Sequence, residues 1–160
     1  MREILLGVHI AAGSVGLVIG PLAMLAPKRA GRHTRLGLAY QAATMVLCLS
    51  ALGLVAYRPA LWWLGVIAAA TWAAALGGWW MARRRPRGWV QWHLNLMCSS
   101  YISFVTALLV VNLGLGSPVA WIAPTLVGAP LIARANVRVA SRNVAGARRT
   151  APDPYEPVRD

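Results

Sequence analysis

Acidic residues are almost absent from this chain, which has four Asp and Glu against sixteen Lys and Arg in 160 residues. None of the four lies inside a long apolar run, which excludes carboxylate proton relays, oxygen-rich Ca²⁺ or Mg²⁺ sites and paired-carboxylate catalysis from those runs. Cysteine is equally scarce, because Cys48 and Cys98 stand alone without C-x-x-C or Cys/His ligand spacing. No serine lies in a G-x-S-x-G elbow, so a Ser/His hydrolase is unsupported.

Long apolar runs dominate what is present: 58 % of the residues are hydrophobic and 12 % are charged, unlike an ordinary soluble domain. Crossing about 30 Å of hydrocarbon takes roughly 20 apolar residues in a helix. We therefore predict an all-α integral membrane protein, a bundle of five transmembrane helices. The predicted spans run from Ile4 to Ala26, from about Leu36 to Tyr57, from Ala60 to Ala82, from about Trp89 to Leu113, and from Val119 to Ala133.

The fifth run is short and carries Pro124, Gly128 and Pro130. We predict a short, proline-kinked span there, with a re-entrant or interfacial segment as the alternative. Residues 1–140 then form a single transmembrane domain. Residues 141–160 lose apolar periodicity and gain Arg, Pro and Asp, which predicts a disordered, basic cytoplasmic tail.

Basic residues lie mainly in the loops after the first and third runs and behind the fifth. These stretches hold Lys28, Arg29, Arg32 and Arg35, then Arg83, Arg84, Arg85 and Arg87, then the arginines from Arg134 to Arg159; the other ends hold Arg2 and Arg58. Because short basic loops stay in the cytoplasm, we predict the amino terminus outside and the carboxyl terminus inside. Topology thus accounts for the net charge of +12, and we predict lipid rather than nucleic acid as its partner.

Polar residues form stripes on two of the predicted helices. The second run carries His33, Gly37, Tyr40, Gln41, Thr44 and Cys48 on one face, and the fourth carries His93, Met97, Ser100 and Tyr101. A polar stripe in lipid must face protein or a cavity, so we predict that these helices face each other. The first run adds His9 and a Gly16-x-x-x-Gly20 pattern that permits close helix approach. We predict a polar pocket enclosed by these three helices, while the third packs or faces lipid.

The histidines are the candidate ligands. His33 and His93 both lie near the predicted cytoplasmic face, and two imidazoles from facing helices can bind a haem iron or another metal. Counting 1.5 Å per residue leaves an offset of roughly 7 Å in depth between them, which axial ligation does not tolerate without tilt or a shifted boundary. Met97 is an alternative axial or copper ligand. His9 has no second histidine at its depth, and Cys48, Thr106 or Asn112 are its expected partners.

Several segments resemble an uncharacterised family of bacterial membrane proteins catalogued as a domain of unknown function. They are Val8-His9-Ile10-Ala11-Ala12-Gly13, Gly20-Pro21-Leu22-Ala23, Gly31-Arg32-His33-Thr34-Arg35-Leu36-Gly37 with Tyr40, His93-Leu94-Asn95-Leu96-Met97-Cys98-Ser99-Ser100-Tyr101-Ile102, Thr106-Ala107, Asn112 and Gly128-Ala129-Pro130-Leu131-Ile132. The resemblance covers most of residues 4–134 and implies the bacterial cytoplasmic membrane. It also implies that His9, His33, His93, Tyr40, Met97, Ser100 and Tyr101 form a shared buried site, without saying what binds there.

This chain departs from that family at two positions, with Ser99 where many relatives have Arg or Gly, and Val111 where many have an acidic residue. A looser likeness to small haem-b bundles of the cytochrome b561 type rests on helix number and histidines alone. The leading hypothesis is a redox or ligand-binding membrane module with haem b, His33 and His93 as axial ligands, and Tyr40 and Tyr101 as supporting groups. The alternatives are a small-solute or proton pathway and an accessory subunit, with a second copy or a membrane complex as partner.

Overall fold

Five long helices make up the fold. The computed structural model describes residues 1–28 and 31–150, with side chains through Arg142. The helices are α1 (Arg2–Leu25), α2 (Arg32–Tyr57), α3 (Trp62–Arg84), α4 (Trp89–Leu113) and α5 (Pro118–Thr150), and a 3-10 turn (Pro59–Leu61) precedes α3. The described part contains no strand. All five helices are long and apolar enough to cross a bilayer, so the predicted fold class is confirmed and the chain is a multi-pass membrane protein.

The ends of the helices follow from local sequence. Hydrocarbon offers no hydrogen bonds to the backbone, so an apolar run must satisfy its own amides as a helix. α1 ends because Pro27 forces the preceding Ala26 into an extended conformation, with ψ 144°. The turn from α3 to α4 needs two left-handed residues, Arg85 with φ 50° and Gly88 with φ 73°, and glycine adopts that conformation without steric cost.

The fifth helix differs most from its prediction. α5 is continuous through Pro124 and Pro130 and reaches Thr150, well beyond the predicted end at Ala133. Each proline removes one backbone hydrogen bond but leaves the rest of the helix intact, and the Arg- and Ala-rich sequence that follows favours helix. Residues 118–142 are long and apolar enough to span a bilayer, which favours the predicted span over the re-entrant or interfacial alternative. Residues 141–150, predicted to be disordered, are helical, and 151–160 lie outside the described residues.

The first four helices form a ring in which each packs against the next and α1 also packs against α4, while α5 lies outside the ring on α4. Small residues allow the closest contacts. Gly16 and Gly20 of α1 lie against the rings of Phe104 and Tyr101 on α4, and Gly128 of α5 lies against Ile102. The Gly16-x-x-x-Gly20 pattern thus serves close packing of α1 on α4.

Helices α2 and α4 face each other across the ring, as predicted, but only through side chains. At the described residues, no Cα atom of α2 lies within 8 Å of a Cα atom of α4. The rings of Tyr40 and Phe104 meet in this space, with centroids 5.6 Å apart. We call the ends of the helices near Lys28, Arg32 and Arg83 the basic end. The space between α2 and α4 at the basic end contains His33 and His93.

Candidate functional site

His33 and His93 lie side by side at the basic end. Their ring centroids are 6.2 Å apart and their planes make an angle of 79°. We predicted that His33 and His93 lie at different depths, yet their rings are close together. The boundary of α2 is shifted from its prediction: the helix begins at Arg32 rather than near Leu36 and so includes His33. The structure thus brings these two histidines together.

Each ring is oriented by one hydrogen bond to a backbone carbonyl. Nδ1 of His33 lies 2.9 Å from the carbonyl oxygen of Ala23 on α1, and Nδ1 of His93 lies 2.8 Å from that of Gly78 on α3. A carbonyl oxygen only accepts, so Nδ1–H donates in both rings, and in a neutral imidazole Nε2 then keeps its lone pair. This is the arrangement by which proteins fix the tautomer of a metal-binding histidine.

The carbonyl that holds His33 is available because of a proline. In a continuing helix the amide of residue 27 would donate to Ala23, but Pro27 has no N–H and ends the helix. The Ala23 oxygen accepts instead from His33 and from Lys28 Nζ, at 3.1 Å. We did not predict this carbonyl from the sequence. Pro27 was a usable signal, because a proline leaves the carbonyl four residues before it without its usual amide donor.

Helix α3 takes part in the site, contrary to the predicted pocket of α1, α2 and α4 alone. Its contribution is the Gly78 carbonyl, which has no side-chain signature in the sequence. The absence of a Cβ at Gly78 also lets Met97 pack against α3, since a Cβ there would lie 2.9 Å from the Met97 sulfur. Met97 therefore packs between α3 and α4. It lies next to Gly78, whose carbonyl accepts the hydrogen bond from His93.

Tyr40 and Ser100 join α2 to α4 one layer deeper. Ser100 Oγ donates to the carbonyl of Met97 at 2.8 Å, so the Tyr40 hydroxyl donates to Ser100 Oγ at 2.9 Å. Tyr40 is 2 % exposed and Ser100 is fully buried. Both polar groups are satisfied within the bundle, and their role is to fix the separation of α2 and α4 beneath the histidines.

Tyr101 joins α4 to α1 in a similar way. Its hydroxyl donates to the carbonyl of Leu17 at 3.1 Å. Pro21, inside α1, lacks the amide that would normally bond to that carbonyl. Gly20 provides the space for the ring. Gly20 and Pro21 together therefore allow Tyr101 to pack on α1 and to donate its hydrogen bond there.

His9 is the one predicted site residue that lies apart. Its Nδ1 is 3.1 Å from Ser50 Oγ and 3.2 Å from the carbonyl of Leu47. These partners are on α2 near the end opposite to the basic end, and they replace the expected Cys48, Thr106 or Asn112. The structure does not bring His9 to the His33–His93 pair, because His33 contacts α1 at Ala23, fourteen residues further along that helix than His9.

An unfilled space and an unpaired polar group lie next to the pair on α2. A Cβ added at Gly37, one turn after His33, would meet no atom within 4 Å. One turn further, both amide atoms of Gln41 are buried with no hydrogen-bond partner among the described residues. Buried polar groups are normally paired, so Gln41 offers a donor and an acceptor to a polar group that is not part of the described chain.

Positive charge surrounds the mouth of the site. The Lys28 ammonium lies within Coulombic range of His93 and Cys98. Burial lowers the pKa of Lys28, and the Cys98 thiol acts in the opposite direction. Trp89 covers His93 from outside, with ring centroids 6.3 Å apart. Among the residues whose side chains are described, no cluster of three or more His, Cys, Asp or Glu exists, so the protein supplies two imidazoles and no further ligand of these types.

No protein-family model, no curated protein and no solved structure matches this chain. The resemblance to an uncharacterised bacterial membrane family therefore stays a prediction.

Proposed function

We propose that this chain is a membrane redox module that binds haem b through His33 and His93. The observation that carries the proposal is the pair of imidazoles whose Nδ1 atoms are held by carbonyls and whose centroids are 6.2 Å apart. A metal held at about 2 Å from one nitrogen of each of two opposed imidazoles keeps the ring centres roughly 6 Å apart. A separation of 6.2 Å between the ring centroids is compatible with His33 and His93 holding one metal atom.

The number of protein ligands favours haem over a bare ion. A structural zinc site needs four ligands and a catalytic site usually needs three, whereas the described side chains offer two histidines and no third ligand of the His, Cys, Asp or Glu type. Haem iron needs fewer ligands from the protein than a bare ion does, and His33 and His93 would be the residues that hold it. Two histidines from facing helices meet that need.

The surroundings of the pair fit the rest of the group. Open space at Gly37 and the unpaired amide of Gln41 lie on the face of α2 that continues from His33. Lys28 and Arg32 are cations at the mouth, suited to the carboxylates of a haem. When bound, haem supplies one-electron redox chemistry.

The chain itself controls the ligands. The hydrogen bonds from Nδ1–H to Ala23 and Gly78 hold the ring planes and raise the basicity of Nε2, which strengthens a metal–imidazole bond. The ring of Trp89 lies beside that of His93. The hydrogen bond between Tyr40 and Ser100 ties α2 to α4 beneath the pair.

The orientation is part of the proposal. The basic end faces the cytoplasm of a bacterium, with the amino terminus outside, because short loops rich in Lys and Arg are retained on that side. The test is labelling of single-cysteine variants with a membrane-impermeant thiol reagent in intact cells. A cysteine at Arg58 labels and one at Arg87 does not; the reverse pattern contradicts the orientation.

A proton pathway has less support from the same residues. The hydrogen-bond chain from Tyr40 through Ser100 ends on the carbonyl of Met97. A carbonyl oxygen accepts a hydrogen bond but has no proton to pass on. The chain of polar groups is therefore better suited to positioning than to relay.

The experiment is haem content per protein after purification in mild detergent from cells supplied with a haem precursor. We expect about one haem per chain in the wild type, and loss of haem in His33→Ala and in His93→Ala. His9→Ala is the matched control and retains haem, since its partners are Ser50 and Leu47 at the other end. Equal loss in all three variants, or no haem in the wild type, contradicts the proposal.

A further inference from the structure

Three arginines at the basic end lie over tryptophan rings. The guanidinium carbon of Arg83 is 4.9 Å from the ring centroid of Trp79, that of Arg84 is 5.6 Å from Trp80, and that of Arg85 is 5.5 Å from Trp89. Stacking leaves the N–H edge of a guanidinium free to donate. These arginines are therefore held in place with their hydrogen-bonding edges available.

An apolar groove lies directly beside two of these pairs. It is open, has a volume of about 400 Å³, and is lined by Leu76, Gly77, Trp79 and Trp80. Trp79 is 37 % exposed and Trp80 is 48 % exposed. Since both rings are on α3 one turn before the arginines, the groove runs from the charged end towards the apolar middle of the span.

The charge at this end is not balanced by the described part of the chain. Among residues 1–28 and 31–142, Glu3 is the sole carboxylate side chain, and it pairs with Arg2 at the opposite end. Arg83 and Arg84 are exposed in the last turn of α3. An anionic group from outside this part of the chain is thus the complement that the surface lacks.

We propose that the arginine–tryptophan surface, formed by Leu76, Gly77, Trp79, Trp80, Arg83 and Arg84, is a binding site for an anionic phospholipid. The phosphate binds the guanidinium groups of Arg83 and Arg84, and one acyl chain lies in the groove. A guanidinium binds phosphate with two parallel hydrogen bonds, and indoles favour the boundary between headgroups and acyl chains. A soluble phosphate would use the arginines but not the groove.

The test is native mass spectrometry of the detergent-solubilised protein titrated with phosphatidylglycerol or phosphatidylcholine of the same acyl chains. We expect the wild type to retain phosphatidylglycerol in preference to phosphatidylcholine by about 30-fold, the effect of two arginines near one anionic headgroup. Arg83→Gln/Arg84→Gln removes that preference. Arg58→Gln, the control at the opposite end, keeps it.

Two further results separate a built site from general attraction. Arg83→Lys/Arg84→Lys keeps the charge but loses the planar fork and the stacking, so its preference lies between those of the wild type and the glutamine variant. Inorganic phosphate at equal concentration does not displace the lipid, because it lacks an acyl chain for the groove. Equal retention of the two lipids by the wild type overturns the proposal, as does a lysine variant identical to the wild type or ready displacement by phosphate.

Discussion

Replacement of Gly20 by alanine is the sharpest test of the packing that supports the site. A Cβ at Gly20 would lie 2.5 Å from two ring carbons of Tyr101, whereas carbon atoms in contact are about 3.5–4 Å apart. The ring cannot withdraw freely, because its hydroxyl donates to the Leu17 carbonyl. The substitution therefore shifts α1 from α4 or breaks that hydrogen bond.

The magnitude follows from two opposing effects. Overpacking costs about 1–3 kcal/mol, and the better helix propensity of alanine returns up to about 1 kcal/mol. We expect Gly20→Ala to lower the free energy of unfolding by about 1–2 kcal/mol. Gly7→Ala is the matched control on the same helix: a Cβ at Gly7 meets nothing within 4 Å, so only the favourable effect applies, and the variant is as stable as the wild type or more so.

The assay is equilibrium unfolding in mild detergent, with both variants measured beside the wild type. In a Tyr101→Ala background the Gly20→Ala cost should largely disappear, because the ring that it meets is gone. Equal stabilities of Gly20→Ala and Gly7→Ala, or an undiminished cost without the Tyr101 ring, would refute the reasoning.

Three other predictions follow from single contacts. Ser100→Ala leaves the buried Tyr40 hydroxyl unpaired and should cost about 1–3 kcal/mol, whereas Tyr40→Phe leaves Ser100 bonded to Met97 and costs about 1 kcal/mol; unfolding in detergent measures both, and the reverse order contradicts the donor assignment. Pro27→Ala lets α1 continue and supply an amide to the Ala23 carbonyl, so haem affinity should fall about tenfold; an unchanged affinity in a haem titration contradicts the role of that carbonyl. Asn136→Leu removes the hydrogen bond from Asn136 to Asn95, which joins α5 to α4, and should cost about 0.6–1.7 kcal/mol; hydrogen exchange no faster in α5 than in the wild type argues against it.

The number of helices, and the facing of α2 and α4, were predictable because hydrocarbon imposes strong rules on sequence. A run of about 20 apolar residues must be helical, and its polar face must be covered. The start of α2 was harder to predict, because Arg32, His33 and Arg35 have the polarity of a loop although they extend the helix beyond the apolar run. The continuation of α5 past Ala133 was missed for the same reason, since Arg134 and the polar residues after it resemble a loop although they extend the helix.

The pairing of His33 with His93 was predictable from their stripes, but the groups that orient them were not. The partners are the carbonyls of Ala23 and Gly78, and backbone atoms leave no mark on a pattern of side chains. Prolines give a partial signal, because Pro27 and Pro21 each remove the amide expected to occupy a carbonyl that a side chain then uses. Nothing comparable marks Gly78, whose position depends on how α3 packs against α4.

The absorption spectrum of the purified protein, oxidised and then reduced with dithionite, tests the central claim most directly when the cells have been supplied with a haem precursor. We expect a Soret band that shifts on reduction, with the sharp visible bands of an iron held by two imidazoles, and loss of that spectrum in His33→Ala and His93→Ala but not in His9→Ala. A featureless spectrum of folded wild-type protein would contradict the account.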